Sequence, residues 1–134
     1  MRILFSIFFL LLMGATCGGS KSLQKSNNAD FQIDKSLLIN DWRHSQEERK
    51  GDTLTYRNAG FKFPKTRGRT GFLIKEDWSV IYHDIARNDL PLEVNCKAVL
   101  EGKNLTLTSV NNSKKPYKFE VISVAKDLMK VRRR

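Results

Sequence analysis

The chain is poor in residues that cross-link a fold or carry out chemistry. Its 134 residues include two cysteines, Cys17 and Cys96, and two histidines, His44 and His83. Cys17 lies in a polar leader, and nothing in the sequence requires a disulfide pinning that leader to Cys96. The two histidines stand apart from each other and from the cysteines, so no metal-ligand spacing is present. A Gly-rich phosphate loop, a nucleophile elbow and a His-Glu-x-x-His segment are all missing. The expectation is a fold that stands without disulfide, metal or cofactor, and a protein that is not an enzyme. An apolar run of about 18–20 residues, the length a membrane-spanning helix needs, is also lacking.

What is present begins at the N-terminus. Met1 and Arg2 precede an apolar run from Ile3 to Met13, followed by the small residues Gly14, Ala15 and Thr16. One basic residue before a run too short to span a bilayer reads as a cleaved secretory signal over residues 1–16. Cys17 follows directly, and the stretch resembles the lipobox of bacterial lipoproteins, with Gly14 where Leu, Val or Ile is usual. Cys17 is therefore the expected lipid attachment site; ordinary cleavage nearby is the alternative. Residues 17–34, rich in Gly, Ser, Lys, Asn and Gln, read as a flexible tether. The expected location is the cell envelope, with a lipid-anchored membrane contact, or otherwise the secreted fraction.

Residues 35–134 form one domain of about 100 residues, enough for a single core. Formal net charge is +10, and about +9 remains once Arg2 leaves with the signal. That sign favours acidic surfaces such as phospholipid headgroups or nucleic acid without choosing between them.

Short segments separated by turn residues mark this domain as all-β. Strands are expected over 38–45 (around Trp42), 53–56, 71–75, 78–85, 92–100, 105–110, 117–124 and 128–131. Leu92, Val94, Cys96, Ala98 and Leu100 share one face of the cleanest alternation. Only residues 34–39 suit a turn of helix. Pro91 belongs to a loop in this reading, since proline is excluded from a central strand position. Eight strands with hairpin-length links suit a single up-and-down antiparallel barrel, in which closure removes exposed edges, with a sandwich as the alternative.

Few side chains suggest chemistry. Glu47 and Glu48, adjacent at a strand end, would point to opposite faces and are expected to be solvated. His83 lies mid-strand with no visible orienting partner. Cys96, between Val94 and Ala98, reads as a small buried hydrophobe. The most distinctive stretch runs from Phe61 to Phe72 and contains Pro64, Arg67, Gly68, Arg69 and Gly71. An arginine fork clamps carboxylate or phosphate bidentately, so Arg67 or Arg69 turned into a barrel would anchor an acidic ligand head. Alternatively, these arginines pair with Glu47, Glu48 or Asp89 and lock the loop across the barrel end.

Taken together, Trp42, Glu47-Glu48, Tyr56-Arg57, the Phe-Pro-x-x-Arg-Gly-Arg-x-Gly-Phe segment at 63–72, Asn-Asp-Leu-Pro at 88–91 and Leu-Thr-Leu-Thr at 105–108 resemble the small lipocalin-like domains of secreted and lipid-anchored Bacteroidetes-type proteins. Asn40 stands where lipocalins usually carry Gly two residues before the first-strand Trp. Cys96 and Ala98 stand where related domains tend to place a second Trp late in the sheet. The resemblance implies an eight-stranded barrel holding a small hydrophobic or amphipathic ligand, with Trp42, Arg67, Arg69, Phe72, Tyr82, Tyr117 and Phe119 as candidate ligand contacts.

An eight-stranded barrel is either just filled by its own side chains or just able to hold one ligand. The leading expectation is therefore an envelope-anchored ligand-binding barrel. The alternative is an interaction or envelope-assembly lipoprotein with a filled interior. Nucleic-acid binding is disfavoured by export and by the scatter of the lysines. The sequence leaves oligomeric state open.

Overall fold

The computed structural model describes residues 32–134. The signal over 1–16, the lipid site at Cys17 and all but the last residues of the tether lie outside them. Ile33, within the segment read as tether, is already buried. A single helical turn follows, α1 (Lys35–Leu38), N-capped by the Asp34 carboxylate, which accepts from the Ser36 N–H at 2.9 Å.

The rest is a closed eight-stranded antiparallel barrel. Its strands are β1 (Asp41–His44), β2 (Thr53–Asn58), β3 (Gly71–Ile74), β4 (Ser79–Ile85), β5 (Pro91–Glu101), β6 (Asn104–Ser109), β7 (Tyr117–Val124) and β8 (Leu128–Arg133). The all-β class and the up-and-down antiparallel barrel are those expected. Succession is continuous from β3 to β8; closure comes from β1, which lies between β2 and β3 while β2 pairs with β8. β2 and β3 therefore run in the same direction, and residues 59–70 carry the chain from one to the other past β1.

Several boundaries shift for physical reasons. Leu38 sits in α1 rather than in the first strand, where its carbonyl accepts from the Trp42 indole N–H at 3.0 Å. Pro91 is the first residue of β5, opposite Ile85, a terminal position that a residue without an N–H tolerates. Glu47 and Glu48 are not on a strand; they lie in a 3-10 turn, Gln46–Glu48. Gly71 is required by contact rather than by a turn: a Cβ there would overlap the Trp42 carbonyl oxygen, so only glycine lets β3 pair so closely with β1.

Alternation sends one side chain in two into the barrel. The inward set includes Trp42, Tyr56, Phe72, Ile74, Val80, Tyr82, Val94, Cys96, Ala98, Leu105, Leu107, Phe119, Val121, Met129 and Val131, all buried. Each large aliphatic or aromatic member contributes about 1.5–3 kcal/mol by leaving water. At the end receiving α1, Asn40 donates to the Lys126 carbonyl at 3.0 Å and accepts from the Asn58 side-chain amide, joining three segments. The opposite end, where His44, Ser109 and Tyr117 finish or begin their strands, is the mouth.

A candidate binding cavity at the barrel mouth

Near the mouth the inward positions stop filling the interior. His44 is two residues beyond Trp42 on β1, Leu54 precedes Tyr56 on β2, and Asp84 follows Tyr82 on β4, each on the inward face. Tyr117 precedes Phe119 on β7, and Arg133 lies opposite Phe119 on β8. With Arg49, Asp52 and Thr70 from the rim, these residues line a cavity of about 340 Å³. That is at the small end of the range for ligand pockets, roughly 300–1,000 Å³.

Its walls are aromatic. The Tyr82 and Tyr117 rings stack with centroids 3.9 Å apart, Tyr56 lies 5.3 Å from His44 and 5.1 Å from Phe72, and Phe119 is 5.6 Å from Phe72. Such contacts hold the rings in fixed orientations. The floor is closed by Trp42, Phe72, Val121, Met129 and Val131, each essentially without solvent exposure.

Polar groups make up much of the lining, with His44, Arg49, Asp52, Thr70, Asp84 and Arg133 joining the tyrosine hydroxyls. Burial pushes the Tyr82 and Tyr117 hydroxyls up to about 12, with Asp84 adding to both shifts. The Tyr117 hydroxyl lies 3.4 Å from Asp84 Oδ2. Burial, then the charges of Arg49 and Arg69, depress the His44 pKa, so its ring is neutral at pH 7. His44 Nε2 is enclosed and has no hydrogen-bond partner, a state that costs about 1–3 kcal/mol. Neighbouring Arg132 is held by Asp52 at 2.8 Å and Arg134 by Glu120 at 2.5 Å, whereas Arg133 enters none of the ion pairs among the described residues. Its positive charge opposes the rise in the Tyr56 and Tyr82 pKa values.

The seven candidate contacts fall in three places. Tyr82, Tyr117 and Phe119 line the cavity. Trp42 and Phe72 lie beneath it in the closed floor. Arg69 and Arg67 are in the 59–70 connection, away from the cavity. Arg69 donates to both Glu47 carboxylate oxygens at 3.0 and 2.7 Å, and to the carbonyls of His44 and Pro64, with its guanidinium 4.4 Å from the Phe63 ring centre. Arg57 does the same with Glu48 at 2.9 and 2.6 Å, and lies 4.9 Å from the Phe61 ring centre. The arginine-rich segment therefore locks the connection over β1 rather than presenting a cation to the interior. Arg67 borders a separate outer groove with Gly68, Ile85 and Asp89. Hydrogen bonds from their arginines hold the Glu47 and Glu48 carboxyls down at about 2.

His83 faces outward on β4, and there it does have partners. Its Nε2 is 3.2 Å from Arg43 and its Nδ1 3.4 Å from Glu93, while Arg43 also pairs with Asp41 at 3.0 Å. Burial and Arg43 lower its pKa, so a neutral ring accepts from Arg43 and donates towards Glu93. Cys96 is buried in the core and its thiol pKa is raised by that burial; neither it nor Ala98 borders the cavity. Among the described residues no group of three His, Cys, Asp or Glu comes together as metal ligands.

Sequence reasoning missed His44, Asp84 and Arg133. The signal was available: each continues the inward parity of its strand past a core residue, in Trp42-x-His44, Tyr82-x-Asp84 and Val131-x-Arg133. An ionisable residue in register with a hydrophobic face is where a barrel interior meets its mouth.

The fold and cavity define a class: a small closed β-barrel, packed over most of its interior, with a shallow aromatic cavity at one end. No protein-family model matches the chain, and neither a curated protein nor a solved structure is significantly similar to it.

Proposed function

We propose that the mature protein is an exported, non-enzymatic, lipocalin-like barrel, anchored to the cell envelope through Cys17, that binds one small amphipathic ligand at its mouth. The observation that carries this reading is the cavity of about 340 Å³, in which aromatic walls meet Arg133 and Arg49. Aromatic walls with convergent polar groups are a common form of small-molecule site. The closed floor favours a short, ring-bearing ligand over a long acyl chain. Its body stacks against Tyr56, Tyr82, Tyr117 and Phe119, and an acidic head faces Arg133 and Arg49.

Native mass spectrometry of protein taken from its own envelope, paired with extraction and analysis of small molecules, tests the reading. A stoichiometric companion lost on Arg133→Ala supports it; a clean apo mass in folded protein counts against it. The second reading, an interaction module with a filled interior, draws on the close packing of Trp42, Phe72, Val121, Met129 and Val131. It predicts that clean apo mass, with Arg133→Ala unchanged from wild type.

A further inference from the structure

The two ends of the barrel differ in charge. The mouth-end segments 45–52, 64–70, 86–90, 110–116 and 132–134 carry eleven Lys and Arg against four Asp and Glu. The opposite end, at 33–40, 75–78, 101–103 and 125–127, carries four Lys against five Asp and Glu. Among the described residues, charge is thus polarised along the barrel axis, with most of the positive excess around the mouth.

Among the described residues, the same end carries the two most exposed of the large apolar side chains. Val110 is 62% and Leu90 58% exposed, and Ile85 is also exposed there. Both flank the first half of β5, Leu90 just before its first residue Pro91 and Val110 opposite Asn95. Val110 donates its N–H to the Asn95 carbonyl at 2.9 Å and borders an open groove with Leu92 and Lys114, and Leu90 is two residues before Leu92. Lys114 and Lys115 follow Val110 in one loop, and Arg87 precedes Leu90 in the other. Both loops are held in tight turns with positive φ at Asp89 (59°) and Asn112 (53°), so the apolar residues are presented on short supports.

We infer that the mouth end docks on an anionic lipid surface, with Leu90 and Val110 entering the interface and Arg87, Lys114 and Lys115 meeting lipid phosphates. Charge complementarity selects an acidic surface, and protruding apolar tips select one with an accessible apolar layer. A nucleic acid uses the first feature and leaves the second unexplained, because its recognition relies on aromatic stacking and phosphate contacts. The arrangement does not need the cavity to hold a ligand, although it would place that cavity against the bilayer. The chain enters the barrel at the far end, yet residues 17–32 can reach at most about 54 Å, against about 37 Å for the eleven residues of β5. Attachment at Cys17 therefore leaves the mouth free to turn to the same surface.

Amide hydrogen exchange of the full chain, with and without vesicles, tests this locally, whatever recruits the N-terminus. With mixed phosphatidylcholine and phosphatidylglycerol vesicles, exchange in 86–90 and 110–116 is expected to slow, while 75–78 and 125–127 stay unchanged. Leu90→Ser with Val110→Ser abolishes that protection, and Lys114→Gln or Lys115→Gln weakens it about fivefold each. Absence of slowing at the two loops, equal slowing on pure phosphatidylcholine, or slowing at the opposite end overturns the inference. So does protection by a short DNA duplex that equals that of the vesicles and survives Leu90→Ser with Val110→Ser.

Discussion

The half of the barrel that receives α1 and the half that opens at the mouth are built from the same alternating strands, yet their inward positions are occupied differently. Towards α1, Trp42, Phe72, Ile74, Leu105, Val121, Met129 and Val131 leave no room. Towards the mouth, His44, Asp84 and Arg133 continue the same faces and leave a cavity rimmed with polar groups. An eight-stranded barrel has little volume to divide, so large apolar side chains at one end and ionisable ones at the other are enough to make a core and a site from one pattern. Stability should therefore depend on the first half and ligand affinity on the second.

Substitution at the packed end has the largest expected effect. Trp42→Ala should cost about 3–5 kcal/mol, and it also removes the donor to the Leu38 carbonyl; a small shift in urea midpoint would contradict the division drawn between the two halves. Gly71→Ala should destabilise by about 1–3 kcal/mol, because the added Cβ forces β3 from the Trp42 backbone, with the loss read in the same urea titration.

Acid should act through the locks over β1. Glu47 and Glu48 have folded pKa values of about 2, depressed from 4.5, so the stability they confer is complete above about pH 4.5 and is lost as pH falls through about 2. Thermal melts between those limits should show the loss in wild type and less of it in the Glu47→Gln, Glu48→Gln double variant. The smallest stability effect belongs to the mouth. Arg133→Ala should change unfolding by no more than about 0.5 kcal/mol, yet weaken binding of anilinonaphthalene sulfonate, an anionic aromatic probe, about tenfold, or ~1.4 kcal/mol. Equal binding by both proteins would separate the cavity from the ligand reading.

Much of the fold was legible because period-two alternation is a local property. β7 is found at the expected residues 117–124, and β5 and β6 within a residue or so at each end. The site was less legible. Tyr82, Tyr117 and Phe119 are recognisable as inward aromatics, and of the two arrangements open to the Arg67–Arg69 segment the structure shows Arg69 paired with Glu47. Those arginines sit beyond β1 in a connection that crosses it, where Glu47 and Phe63 are closer than the interior. Arg133 is flanked by Arg132 and Arg134, and its parity two residues past Val131 is what sets it apart.

The sequence by itself determined the all-β class, the number of strands and which face of each strand is apolar, since alternation and turn residues act between near neighbours. Tertiary structure decided that β1 lies between β2 and β3, that Glu47 and Glu48 take the arginines of two different segments, and that the interior is filled at one end and open at the other. Those outcomes depend on which distant side chains share a limited volume, and that volume exists only once the barrel has closed.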